Sequence, residues 1–218
     1  MLGESAYTAA DAKRYADAYS AAIAAIGASV DYHALPAWAQ PSISVKLSAL
    51  HPRYEISQAA RVLDELVPAL AALAAQAKRV GIGFTVDAEE ADRLELSLEI
   101  FARLRRDPAL DGWMGLGLAL QAYQKRARPA VGWIVALARS TRTRIPVRLV
   151  KGAYWDTEVK RAQVLGLAGY PVFTRKAHTD VSYLACAKAL LDAGDAVYPM
   201  FATHNAHTAA WVAACAAE

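Results

Sequence analysis

Two cations, a glycine and two large aromatics fall together in the run Arg148-Leu149-Val150-Lys151-Gly152-Ala153-Tyr154-Trp155-Asp156. Guanidinium and ammonium groups recognise phosphate or carboxylate, and flat aromatic faces accept a ring system. The run sits at a corner. Ile145 to Val150 has the short apolar composition of a buried strand, and Asp156-Thr157-Glu158 opens a helical pattern. In a barrel of alternating strands and helices, that kind of corner carries the chemistry. The plainer alternative is a solvated basic turn with two packing aromatics.

The same position in other units also holds polar residues. Lys46 ends one strand pattern, Asp87 the next and Gln121 the third, while Arg148 and Lys151 flank the end of the fourth. Thr174, Arg175 and Lys176 end a fifth, and Thr203, His204 and Asn205 a sixth. Each alone has an ordinary reading: Lys46 solvated, Asp87 capping a helix, His204 a satisfied core histidine. In a parallel barrel all six ends share one face and line one pocket. The set pits Lys46, Arg148, Lys151, Arg175, Lys176 and His204 against Asp87, which favours an anionic ligand. Arg175 and Lys176, beside the hydroxyls of Thr174 and Thr179, suit a pyrophosphate or the sugar-phosphate end of a nucleotide. Tyr154 and Trp155 suit its ring.

The elements that position these residues alternate. Thr8 with Asp11 forms a helix-start box, and the helix runs through Tyr15, Tyr19 and Ile23 to Gly27. A turn-rich stretch with Pro36 and Pro41 leads to the strand Ser42 to Leu47. Ser57 caps a long helix that ends at Gly81, with a kink at Pro68. Then follow the strand Gly83 to Asp87, a helix from Glu89 to Arg106, the strand Gly115 to Gln121 and a helix from Pro129 to Arg142. The helix after Asp156 closes at Gly169, Pro171 to Thr174 is a strand and Asp180 to Ala193 a helix. Pro199 to Thr203 is the sixth strand, and a helical pattern runs on to Glu218. Such a cadence calls for a parallel sheet covered by helices. No Gly-x-Gly-x-x-Gly follows the first strand, which argues against a Rossmann phosphate loop. The expectation is an α/β fold of the (β/α)8, TIM-like type.

Composition narrows the function classes. At 218 residues the chain fits one domain, residues 1–218. No apolar run lasts the ~18 residues of a membrane span, and residues 1–12 lack the pattern of a secretory signal. The formal charge of +3 is small and dispersed, so nucleic-acid binding is not supported. Cys186 and Cys215, both in alanine-rich helical patterns, read as buried free thiols in a cytoplasmic protein. Metal-dependent barrel hydrolysis is the competing chemistry. His204 and His207 are spaced i, i+3, and Asp87, Glu89 and Glu90 are carboxylates on another unit. The cations of the set would repel a dication, so no metal ligands are assigned. A non-catalytic flavin- or nucleotide-binding barrel is the other class still open.

At these same residues the chain resembles the proline dehydrogenase domain of the bifunctional bacterial proline utilization A enzymes. The segments that carry the likeness are SVKLSALHPRY (44–54), DAEEADRLELSLE (87–99), QAYQKR (121–126), RLVKGAYWDTEVKRAQ (148–163), GYPVFTRKAHTDVSYLACAKALL (169–191) and YPMFATHNAHT (198–208). The opening MLGESAYTAADA (1–12) matches as well. The resemblance implies a distorted (β/α)8 barrel holding FAD non-covalently, and oxidation of L-proline to Δ1-pyrroline-5-carboxylate with a hydride passing to the flavin. Reduced flavin would pass its electrons to a membrane quinone. By position, Lys46 would bind the proline carboxylate and Arg148 would bond the flavin near N5. Asp87 would lie by flavin and substrate, Gln121 would bond the ring edge, and Tyr154 would pack at the substrate. Lys151, Gly152 and Trp155 would hold the flavin, the glycine by permitting close backbone approach. Thr174, Arg175, Lys176, Thr179, Thr203, His204 and Asn205 would contact its pyrophosphate, ribose or adenine end. Glu4 matches a glutamate that pairs with an active-site arginine and gates the pocket.

The resemblance also sets an expectation about extent. The family's first strand would end at Met1 and Leu2, and an eighth strand and a carboxylate-clamping helix would follow Glu218. The chain is therefore expected to be a barrel truncated at both ends and poorly active alone. An aldehyde dehydrogenase domain is expected in the same full-length protein, at the inner face of the membrane where the quinone is reached.

Overall fold

A computed structural model describes residues 4–28, 35 and 39–217. Pro36, Met1, Leu2 and Glu218, named above, lie outside the described residues. The chain forms two units, Met1–Ala88 with Asp92–Leu118, and Glu89–Ala91 with Ala119–Glu218. Strand order in the sheet follows chain order, β1-β2-β3-β4-β5.

The first unit opens on α1 (Ala9–Gly27), whose start is the expected box: the Thr8 hydroxyl accepts from Asp11 N at 3.1 Å while Asp11 accepts from Thr8 N at 3.0 Å. Tyr19 and Ile23, four apart, are the buried stripe of α1. β1 is Ser42–Val45, followed by the one-turn α2 (Leu47–Leu50). Lys46 therefore lies one residue past the strand, and its N–H donates to the Tyr19 hydroxyl at 3.2 Å. α3 (Ala59–Arg79) continues through Pro68. Ser57 does not cap it; that residue lies in a 3-10 turn, and Gln58 takes the cap position without a side-chain bond.

β2 (Gly83–Val86) pairs in parallel with β1, Val45 opposite Val86, and with β3 (Leu116–Gln121), Val86 opposite Leu118. All residues of β2 and β3 are buried, as a sheet covered on both faces requires. The helix expected from Glu89 begins later, as α4 (Leu94–Arg105), after a 3-10 turn at Ala91–Arg93. Main-chain bonds of residues 89 and 91 to side chains, described below, occupy the stretch that periodicity assigned to the helix.

In the second unit α5 (Ala127–Ser140) leads to β4 (Ile145–Val150), which pairs in parallel with β5 (Val197–Phe201) from Ile145 opposite Val197 to Leu149 opposite Phe201. Between them stand two helices, α6 (Trp155–Val164) and α7 (Lys176–Asp192), and no strand among the described residues. The segment after Pro171 is not the expected strand of the sheet. It makes an isolated antiparallel bridge, Gln124 with Val172, supported by Lys125 N to Pro171 O at 3.0 Å and Phe173 N to Tyr123 O at 2.8 Å. α6 ends at Val164 rather than at Gly169, the turn being made by Gly166 at φ 60°. α7 begins four residues before Asp180. α8 (Ala206–Ala216) is capped by Asn205, whose side chain accepts from Thr208 N at 2.9 Å. Cys186 is buried, and burial pushes its thiol up; Cys215 is only half-buried, against expectation.

Candidate active site

In the second unit, the site is built where β3 and β4 end. Ala122 N donates to Val150 O at 2.8 Å and Tyr123 N to Lys151 O at 2.7 Å, so the two strands stay paired past their last residues. Gly152 then takes φ 150°, a conformation that favours glycine. Its close approach is to the Tyr123 ring, whose nearest carbon lies 2.4 Å from where a β-carbon would stand.

Gln121 closes the corner from the other side. It is buried; its Nε2 donates to Glu89 O at 2.7 Å and its Oε1 accepts from Ala153 N at 2.9 Å. One Nε2 hydrogen remains for a ring-edge acceptor. Buried Glu158 on α6 accepts from Ala91 N at 2.5 Å, and Arg126 donates to Ala91 O at 2.5 Å. The three side chains pin the 89–91 segment. Glu89 and Glu90, named above as metal-site carboxylates, belong to this clamp region, and Glu89 is buried. Among the described residues no three His, Cys, Asp or Glu side chains group as a metal site would need.

The cations gather around one carboxylate that sequence reading did not single out. Asp180, on the first turns of α7, accepts from Lys151 and, at 2.6 Å, from Lys176. Lys151 and then Lys176 hold its carboxyl below the usual range. The Lys151 ammonium also lies 5.9 Å from the centre of the Tyr183 ring. Tyr183 is buried, its phenol pushed up to about 12 by that burial. α7 is further tied to the corner by the Ser182 hydroxyl, which donates to Ala122 O at 2.7 Å.

Thr174, Arg175 and Lys176 are exposed, but they lead into the N-terminus of α7 instead of ending a strand. That helix start has no side-chain cap, and His178 N is bonded to Arg175 O at 3.0 Å, which leaves the earlier N–H groups and the positive end of the dipole to attract an anion. Thr179, one turn in, is buried. Trp155 is exposed, yet its indole N–H is fixed by Phe173 O at 3.0 Å. Arg148 is half-buried on β4, and Tyr154 is half-buried at the start of α6. Thr203, His204 and Asn205 follow β5 by two to four residues. The Thr203 hydroxyl accepts from Asn205 N at 3.1 Å, which with the Asn205 cap orders the start of α8 and leaves His204 exposed.

In the first unit, Lys46 and Asp87 are both half-buried and each lies just past a strand end; Asp87 N extends the ladder by donating to Val45 O at 2.9 Å. Glu4 is exposed. The residues present fit a dinucleotide flavin: an uncapped helix start with cations for a pyrophosphate, a fixed indole, and a buried amide with a donor to offer.

The sequence profile described as proline dehydrogenase matches residues 1–218. The bifunctional protein PutA of Salmonella typhimurium is 55% identical over 210 residues, 96% of this chain, and that of Rhizobium meliloti 54% over 203 residues, 93% of this chain. A variant of Bradyrhizobium japonicum proline utilization A superposes with a TM-score of 0.96 at 60% identity over 100% of the chain. The same protein from Bdellovibrio bacteriovorus, inactivated by N-propargylglycine, superposes at 0.91 with 28% identity over 99%. This chain spans 16% of the length of the two PutA relatives, and 22% and 23% of the two crystallised chains. The TIM-like α/β barrel expected from the cadence is the fold these matches carry. The chain belongs to the proline dehydrogenase family.

Proposed function

We propose that this chain is the flavin-binding, proline-oxidising part of a bifunctional proline utilization protein, with L-proline as substrate and Δ1-pyrroline-5-carboxylate as product. The observation that carries the reading is the uncapped start of α7 beside the Lys151–Asp180–Lys176 cluster and the anchored Trp155 indole. That set offers an anion site and a flat surface on connected segments.

FAD, when bound, supplies the acceptor for the hydride equivalent leaving proline. Lys151, Arg175 and Lys176 neutralise its pyrophosphate together with the α7 N-terminus. Asp180 keeps Lys151 and Lys176 oriented and prevents three neighbouring cations from repelling one another. Arg148 adds positive charge near the ring, which favours electron uptake. Gln121 offers its remaining hydrogen to the ring edge while holding Ala153. Trp155 and Gly152 flank the ring and Tyr154 the substrate. Thr174 and Thr179 contact the pyrophosphate, and Thr203, His204 and Asn205 the ribose and adenine end. Lys46 binds the proline carboxylate as a point charge, Asp87 lies by substrate and flavin, and Glu4 gates the entrance. Electrons pass on to a membrane quinone, and the pyrroline product to an aldehyde dehydrogenase domain of the same protein. No helix among the described residues is long and apolar enough to cross a membrane.

The test is turnover of the natural full-length protein with L-proline and a soluble quinone. Quinone reduction that requires both proline and FAD supports the reading. A colourless protein that cannot be loaded with FAD contradicts it.

A further inference from the structure

Tyr123 stands at the centre of the second unit's site without a role in the flavin or substrate contacts proposed above. Its main chain joins the two segments that carry the site: its N–H donates to Lys151 O at 2.7 Å and its carbonyl accepts from Phe173 N at 2.8 Å. Phe173 in turn accepts the Trp155 indole N–H at 3.0 Å and is followed directly by Thr174, Arg175 and Lys176. The Tyr123 ring faces Gly152, its carbons 2.4 to 2.6 Å from the position a β-carbon would take there. The side chain is 2% exposed. Its hydroxyl is buried beside the Tyr154 main chain and makes no side-chain hydrogen bond. Burial first, then the Glu158 carboxylate, pushes that phenol far up, so it stays neutral.

These facts separate the ring from the hydroxyl. The ring fills the space under the Lys151-Gly152 corner and fixes how deep that backbone sits. The hydroxyl has only the Tyr154 main chain beside it and no side-chain partner, so little is lost when it is removed. Any residue but proline serves for the two main-chain bonds. A large flat side chain is needed only for the contact with Gly152.

We propose that Tyr123 is the positioning residue of the flavin site: its ring sets the Lys151-Gly152-Ala153 backbone at the depth the flavin requires. This rests on the flavin reading above. Because the role is steric, phenylalanine should serve as well as tyrosine, and a smaller apolar residue should not. A displaced corner carries Lys151 and Ala153 with it, so the loss falls on FAD affinity and flavin reduction. The proline requirement, assigned to Lys46, stays in place.

The natural full-length protein is compared with Tyr123→Phe and Tyr123→Leu, below the unfolding temperature of each and with folding checked by circular dichroism. The expected result is FAD affinity lowered about tenfold or more in Tyr123→Leu, the scale on which lost supporting contacts act. Flavin reduction by saturating proline should slow by up to about a hundredfold, as small misplacements do. KM for proline should stay within about twofold, a split that general loosening of the fold would not give. Tyr123→Phe should restore FAD affinity and reduction. Tyr123→Leu binding FAD as tightly as the natural protein overturns the proposal, as does Tyr123→Phe losing as much as Tyr123→Leu. Should Tyr123→Leu not fold, Gly152→Ala tests the same contact from the other side, and unchanged FAD affinity there overturns it too. A natural protein that takes no flavin sinks the parent reading itself, a result distinct from a flavoprotein indifferent to Tyr123.

Discussion

Two groups of cations in this chain touch loops, one in each unit, and they use their hydrogens differently. In the first unit, buried Arg105 donates to Trp113 O at 2.7 Å and Leu110 O at 2.5 Å, while Lys78 donates to Ala109 O at 3.0 Å and Asp111 O at 3.1 Å. Four carbonyls of one loop are thus held by two side chains, and burial lowers the Arg105 pKa from its ordinary value. In the second unit, Lys151 and Lys176 share Asp180, Lys176 is largely exposed, and Arg175 is exposed without an ion pair among the described residues. The first group is consumed by main-chain acceptors and fixes structure. The second keeps hydrogens and charge available beside an uncapped helix, which is what an anionic ligand needs. Counting basic residues does not separate the two cases; following their hydrogens does.

The sharpest contrast comes from removing one cation that holds a loop and one assigned to the flavin ring. Arg148→Met should slow flavin reduction by about a hundredfold or more while the fold and proline binding persist, as loss of a charge aimed at the reacting ring does. Anaerobic stopped-flow reduction read against a proline titration checks this, and equal losses in rate and binding would remove Arg148 from the ring. Arg105→Met should do the reverse. It leaves buried carbonyls unpaired and should cost about 3 kcal/mol of stability by urea unfolding, with the reduction rate of the folded protein unchanged. Lys46→Ala should raise KM for proline by about tenfold, with FAD content unaffected, in line with a charged hydrogen bond lost at the substrate. An unchanged KM would take Lys46 out of the carboxylate site.

The smallest effect concerns pH. Asp180 has a folded pKa below its unfolded one, so its contribution to stability is present above about pH 4 and is lost as pH falls through the folded value. Asp180→Asn should therefore lower stability by a small amount at neutral pH and flatten the acid limb, so that the two proteins converge below about pH 4. Thermal unfolding against pH in both proteins measures it.

Much of this layout could be read from residue order. The strands at Ser42, Gly83 and Ile145 are short apolar runs ending beside polar residues, the strand expected at Pro199–Thr203 runs two residues earlier as Val197–Phe201, and the Thr8–Asp11 box announces its helix locally. Pro171-Val172-Phe173 has the same β-type composition but pairs with Gln124, a partner that no local pattern reveals, so it reads as a strand of the sheet and is not one. Ser57 looks like a cap, yet a 3-10 turn intervenes. At the site, Arg148, Lys151 and Trp155 stand out because a strand ends beside them. Asp180 and Glu158 do not, since a carboxylate at helical spacing looks like a solvated face until its partner arrives from another element. Tyr123 is hidden for a related reason. A buried aromatic is ordinary, and its importance comes from one glycine across the corner, a pairing that only the folded chain reveals.

The most direct test of the central claim is an anaerobic visible spectrum of the natural full-length protein before and after L-proline. The account predicts flavin absorbance that bleaches on addition of proline and returns with a quinone. Flavin bands that persist with proline would contradict proline oxidation, and absence of flavin even after added FAD would contradict the reading of the α7 site.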